Sequence, residues 1–146
     1  MKIRPALRSD LPAIHSLVTE LAIYERQPEA VTATLADYEK NFDAGVFEAI
    51  VAEIDGQGVV GMALFYISWS TWKGRMLFLE DFVVTESARR TGAGQLLFEA
   101  YLAEARARDC RVAKWQVLEW NEPAIRFYQK NGAIIETDWW NGKLFI

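Results

Sequence analysis

The spacing of apolar positions changes period along the chain, and each change marks an element. Met1 to Ala6 reads as a short strand. Leu11, Ile14, Leu17, Val18 and Leu21 then recur on one face of a helix. Ser9 or Asp10 is its expected cap, Pro12 fits its first turn, and the helix runs to about Glu25, with Pro28 ending it. Thr34-Leu35-Ala36-Asp37 starts a second helix that reaches about Phe42. Three strands are predicted next, at Phe47 to Ile54, Val59 to Trp69 and Met76 to Val84, with a turn at Asp55-Gly56 and a loop at Trp72-Lys73-Gly74. The third is almost continuously apolar, the pattern of a mid-sheet strand covered on both faces. A helix from Gly92 carries Leu96, Leu97, Ala100, Tyr101 and Ala105 on one side, and Val112 to Leu118 is another strand. Asn121 caps a last helix with Pro123 in its first turn, and Gly132 closes it. Ile134-Ile135 and Leu144-Phe145-Ile146 read as two final strands joined near Asn141-Gly142. The order β-α-α-β-β-β-α-β-α-β-β is that of an α/β domain with a mixed sheet, and no linker or repeat divides residues 1–146.

Composition narrows the classes of function. The chain has 146 residues, a formal net charge of -4 and no basic stripe, so nucleic acid is not an expected partner. No apolar run approaches the ~18 residues of a membrane span, and no signal-peptide core follows Met1-Lys2-Ile3-Arg4-Pro5. Cys110, the sole cysteine, excludes an intramolecular disulfide and reads as a small, partly buried residue after a helix. A soluble cytoplasmic protein is expected. His15 is the sole histidine, so neither a metal site nor a histidine-based triad is expected, and His15 reads as structural. The six tryptophans are expected in the core or on a dimer surface.

Two features carry chemistry. Glu80 and Asp81 interrupt the apolar strand Met76 to Val84. Successive strand side chains point to opposite faces, so the two carboxylates share a face only if a bulge reorients one of them. Each is open to two readings: a salt bridge to a neighbouring cation, or a carboxylate in a cleft that handles protons or binds a cation. The second feature, Arg89-Arg90-Thr91-Gly92-Ala93-Gly94, lies between strand and helix. Free amides at a helix start and glycines that admit close approach suit a phosphate, while a plain tight turn explains the same residues. Neither the Rossmann nor the Walker spacing is present.

Arg89-x-x-Gly92-x-Gly94 resembles the R/Q-x-x-G-x-G/A signature of the GNAT acetyltransferase superfamily. Asn121-Glu122-Pro123-Ala124-Ile125-Arg126-Phe127-Tyr128, ending at Gly132, resembles the N-x-x-A-x-x-F-Y-x-x-x-G motif that follows the next strand. Glu20 to Glu25, Phe78 to Phe82 and Glu119 to Pro123 are similar to the diamine (spermidine/spermine) and thialysine acetyltransferase branch. Relatives continue beyond the position of Ile146, a basic residue is common at Asn131, a glycine is common at Arg90, and the stretch from Thr137 to Asn141 aligns poorly.

The resemblance implies a GNAT fold: a mixed, mostly antiparallel sheet with a splayed pair of parallel strands and about four flanking helices. It implies acetyl-CoA as cosubstrate, without a metal, and direct attack by a small cationic amine. Glu80 would be the general base or amine-binding residue, and Tyr128 the general acid. An alkyl ammonium has a reference pKa of ~10.4 and arrives protonated, while a tyrosine at ~10 holds its proton at pH 7. The backbone of Phe82, Val83 and Val84 would receive the acetyl and pantetheine groups, and Arg89, Arg90, Thr91, Gly92, Ala93, Gly94 and Gln95 the pyrophosphate. Asn121, Pro123 and Ala124 would flank the pantetheine arm, and Tyr24, Glu25 and Trp72 the amine. Members of the branch are commonly dimers, so a homodimer is expected. Two other readings stay open: a protein lysine or N-terminal acetyltransferase, and a non-catalytic acetyl-CoA sensor.

Overall fold

The computed structural model describes residues 1–146, and these divide into two compact units, Met1–Gln116 and Val117–Ile146. The first holds a five-stranded sheet in the order β1-β2-β3-β4-β5, from β1 (Lys2–Pro5), β2 (Glu48–Ile54), β3 (Gly58–Ser70), β4 (Gly74–Val84) and β5 (Val112–Trp115). Neighbouring strands are antiparallel except β4 and β5, which run parallel. Three helices accompany them: α1 (Leu11–Tyr24), α2 (Leu35–Asp43) and α3 (Ala93–Ala107). The second unit holds α4 (Glu122–Lys130).

Side-chain alternation divides the core between the two sheet faces. Leu11, Ile14 and Leu17 of α1 pack with Val51, Met62, Leu64 and Val83, and Leu35, Tyr38 and Phe42 of α2 join them. On the opposite face α3 contributes Phe98 and Tyr101, whose rings meet Phe82 and Phe65 respectively. The Tyr101 hydroxyl donates to the Leu77 carbonyl at 2.6 Å, which satisfies a buried polar group within this layer. Gly61 lets β3 pass close beneath α3 and β4. A Cβ there would lie 2.9 Å from the Val83 carbonyl oxygen and 3.2 Å from a Leu97 methyl carbon.

Caps follow the sequence with one exception. Thr34 and Asp37 exchange backbone hydrogen bonds at the start of α2, at 3.2 Å and 2.8 Å. Asn121 accepts from the Ala124 amide at 3.4 Å, and Gly132, at φ 89°, follows α4. Asp10 stands at the N-cap of α1 but does not cap it with its side chain. The guanidinium of Arg4 claims that carboxylate at 2.7 Å and 3.0 Å, and the Leu7 amide donates to it at 2.7 Å. The pairing holds Asp10 below the usual carboxylate range.

Two expectations need correction. The ladder between β4 and β5 ends at Leu79 and Trp115, so β5 stops short of Leu118. Ile134-Ile135 and Leu144-Phe145-Ile146 are not strands; residues 131–146 form no helix or strand, and Ile134, Leu144 and Phe145 are exposed. Apolar runs this short form strands only where a ladder partner and an apolar face receive them. Of the two places expected for the tryptophans, the core is not where most of them lie: Trp69, Trp72, Trp120, Trp139 and Trp140 are exposed, and half-buried Trp115 meets Phe98 edge-on. The sheet core is filled instead by aliphatic side chains together with Phe65, Phe98 and Tyr101.

Candidate active site

The site is organised by one irregularity in β4. Leu64 of β3 faces Asp81, yet the next residue, Phe65, faces Leu79, so Glu80 is an extra residue without a partner across the ladder. Such a bulge bends its strand and shifts every later side chain by one face. Leu79 lies opposite Phe65 on the α3 side, whereas Asp81 lies opposite Leu64 on the side of α1 and α2. The condition under which both carboxylates share a face is therefore met. Glu80 and Asp81 together line a cleft of about 340 Å³ with Asp37, Tyr38 and Asn41 of α2 and with Leu64 and Tyr66 of β3.

The two acids differ in environment. Glu80 is exposed, and its Oε2 accepts the Tyr66 hydroxyl at 3.1 Å. Asp81 is half-buried; desolvation first, then the charges of Glu80 and Glu25, push its carboxyl up to about 6. Glu25, just past α1, is also raised by burial. The Tyr38 and Tyr66 hydroxyls are each pushed up to about 12, by desolvation and then by these carboxylates. Neutral tyrosines beside an unneutralised acidic patch make a pocket for a cation. His15 supports it from behind: its Nε2 donates to the Ala33 carbonyl at 2.9 Å, and its ring meets that of Tyr38 edge-on.

The glycine turn has the geometry of an anion site. Gly92 adopts φ 90° and stands at the N-cap of α3, whose axis it opens. Thr91 Oγ1 donates to the Ala88 carbonyl at 2.6 Å and accepts from the Ala93 amide at 3.4 Å, which fixes the turn. The amides of Gly92 and Gly94 have no acceptor within the protein. A Cβ at Gly92 would meet nothing within 4 Å, and one at Gly94 would only touch the side chains of Phe82 and Val84 at 3.9 Å, so neither glycine is crowded. Free amides, uncrowded glycines and the cations Arg89 and Arg90 fit a pyrophosphate. Arg89 Nε also donates to the Val84 carbonyl at 3.3 Å, and its guanidinium lies over the Tyr24 ring.

Other residues implicated by the sequence fall into separate places. Phe82, Val83 and Val84 pair with β3 on one side; on the other the β5 ladder has already ended at Leu79. Trp72 is 82% exposed at the tip between β3 and β4 and does not line the cleft. Tyr128 is buried in α4, with its ring against Phe127. Sequence reasoning passed over Tyr38 and Asn41. Tyr38 shares the inward spacing of Leu35 and Phe42 and therefore reads as plain core.

Residues 11–133 match the acetyltransferase (GNAT) family. The chain belongs to this family. Among its relatives is bovine (Bos taurus) thialysine N-epsilon-acetyltransferase, 32% identical over 95% of this chain and 88% of the relative. Human (Homo sapiens) spermidine/spermine N(1)-acetyltransferase-like protein 1 is 31% identical over 91% of this chain, which spans only 20% of that larger protein. A solved structure described as a probable acetyltransferase superposes with a TM-score of 0.81 at 23% identity, covering 100% of this chain and 98% of its own. The GNAT assignment accounts for the mixed sheet with its one parallel pair, and for an acyltransferase activity. No helix of the chain is long and apolar enough to cross a membrane.

Proposed function

We propose that the chain is an acetyl-CoA-dependent N-acetyltransferase acting on a primary amine of a small cationic molecule, polyamine or thialysine-like. The observation that carries the reading is the bulge at Glu80, which gathers Glu80 and Asp81 on one cleft wall opposite Asp37 and Tyr38. The thialysine and spermidine/spermine names of its relatives support the same substrate class.

In this reading acetyl-CoA, when bound, supplies an acetyl group activated as a thioester. Gly92 and Gly94 offer free amides to its pyrophosphate, flanked by Arg89 and Arg90, with Thr91, Ala93 and Gln95 completing the turn. The backbone of Phe82, Val83 and Val84 orients the acyl end. Asn121, Pro123 and Ala124 line the arm. Tyr24, Glu25 and Glu80 receive the amine, and Glu80 holds its ammonium or takes its proton; Trp72, at the hairpin tip away from the cleft, is left out of this set. Tyr128 gives its hydroxyl proton to the departing sulfur. Residues 1–146 act as one catalytic domain, in the cytoplasm and as a homodimer, an assembly that equilibrium sedimentation tests directly.

Thiol release from acetyl-CoA, measured across polyamines, lysine analogues, amino acids and peptides, tests the function. Turnover is expected with small amines that carry a second cationic group. Turnover of peptides alone would make the chain a protein acetyltransferase. Acetyl-CoA binding with no turnover of any amine would make it a sensor.

A further inference from the structure

We propose that Asp81 is the group that receives the proton of the amine, and that Glu80 holds the ammonium in place. This division rests on the amine-acetylation reading above.

Geometry separates the two acids. Asp81 makes no hydrogen bond and no ion pair, although the chain forms such bonds at Asp10, Glu48 and Glu53. A half-buried carboxylate without a partner is costly, and its retention calls for a cation that comes and goes. No fully buried side-chain oxygen in the chain lacks a partner, so the unpaired oxygens of Asp81 open on the cleft and not into the core. The ionisable groups that line the cleft or act on Asp81 are carboxylates and tyrosines: Glu25 after α1, Asp37 and Tyr38 on α2, Tyr66 on β3 and Glu80 on β4, with His15 of α1 packed behind Tyr38. No Arg or Lys lines the cleft. Glu80, by contrast, is exposed and already accepts from Tyr66, which fixes its carboxylate as a rim group.

The step balances simply. An ammonium N–H bond breaks, its electron pair stays on nitrogen, and the proton bonds to an Asp81 oxygen. The neutral amine is then the nucleophile. Asp81 returns to its ionised form by releasing the proton to water through the cleft. A carboxylate lifted toward the working pH is a stronger base than an ordinary one and is still mostly ionised above pH 7.

The test is the pH dependence of kcat/KM for an acetylated amine, with acetyl-CoA saturating. Wild type is expected to show an ascending limb centred near 6, distinct from the limb of the free amine at ~10. Asp81→Asn should lose that limb and fall by about 100-fold or more at pH 7.5, and Asp81→Glu should recover part of it. Glu80→Gln should keep the limb, move it toward lower pH and chiefly raise KM for the amine. An Asp81→Asn enzyme that keeps the limb, or stays within about threefold of wild type, overturns the assignment. So does loss of the limb in Glu80→Gln. If Asp81→Asn fails to fold, the carboxyl carbon of Asp81 in the wild-type chain decides by NMR titration: a midpoint near 6 supports the role, and one at an ordinary carboxylate value overturns it. A wild-type chain inert toward every amine removes the proposed function itself and this role with it, an outcome distinct from an active enzyme indifferent to Asp81.

Discussion

The guanidinium of Arg89 lies 5.6 Å from the centre of the Tyr24 ring. This contact ties the turn that opens α3 to the end of α1, and so links a proposed cofactor position to a proposed amine position. A cation over an exposed ring contributes roughly 0.5–1 kcal/mol, a two- to fivefold effect on binding. Tyr24→Leu is therefore expected to weaken acetyl-CoA by about that factor, measured by calorimetric titration. Tyr24→Phe keeps the ring face and should leave the affinity unchanged. Equal weakening by both variants would show that the hydroxyl, and not the ring, matters.

The two glycines of the turn should respond differently to alanine. Gly92 sits at φ 90°, a conformation costing an L-residue roughly 1–2 kcal/mol, whereas Gly94 has ordinary backbone and room for a Cβ, which would meet Phe82 and Val84 at 3.9 Å. Gly92→Ala should lower the melting temperature and weaken acetyl-CoA, and Gly94→Ala should do neither strongly. Arg90 stands at φ 70°, where a glycine is strain-free. Arg90→Gly should thus raise stability by up to about 1 kcal/mol while losing one cation from the proposed pyrophosphate site, so melting temperature and cofactor affinity move in opposite directions.

Tyr128 is buried in α4, and its proposed task is one proton. Tyr128→Phe removes the hydroxyl and keeps the ring. General acid catalysis contributes about 10²–10⁴ in rate, so kcat should fall by at least about 100-fold. Acetyl-CoA affinity should change little. An unchanged kcat removes the acid role.

What the sequence makes legible follows from range. Helix faces and caps are local, so α1, α2, α3 and α4 fall within one or two residues of their spacing. Gly92 and Asn121 are read from neighbours in the chain alone. The bulge is not local: the extra residue at Glu80 appears only when β4 is set against the register of β3. For that reason the acidic pair is visible in the sequence while its shared face is not. The Asp10 cap fails for a similar reason, since Arg4 lies on another element and competes for the carboxylate. Ile134 and Leu144 to Ile146 read as strands because apolarity alone does not specify a partner.

The unpaired Asp81 also bears on the stability of the fold. Its carboxyl is raised from 3.8 to about 6, so the folded chain binds this proton more tightly than the unfolded chain does. A raised folded value means that the favourable contribution is complete below the unfolded pKa and is lost as pH rises through the folded one. The window for Asp81 is therefore from just below 4 up to about 6 or 7. Above it, the ionised side chain costs the fold on the order of 3 kcal/mol. Asp81→Asn keeps the shape and removes the charge. In urea denaturation it should be more stable than wild type by about 2–3 kcal/mol at pH 8, with the gap closing as pH falls toward 4. Equal stability at pH 8 would mean that Asp81 is solvated well enough to ionise without penalty. A variant that gains stability while losing turnover would place Asp81 among residues held at a cost to the fold because the reaction needs them.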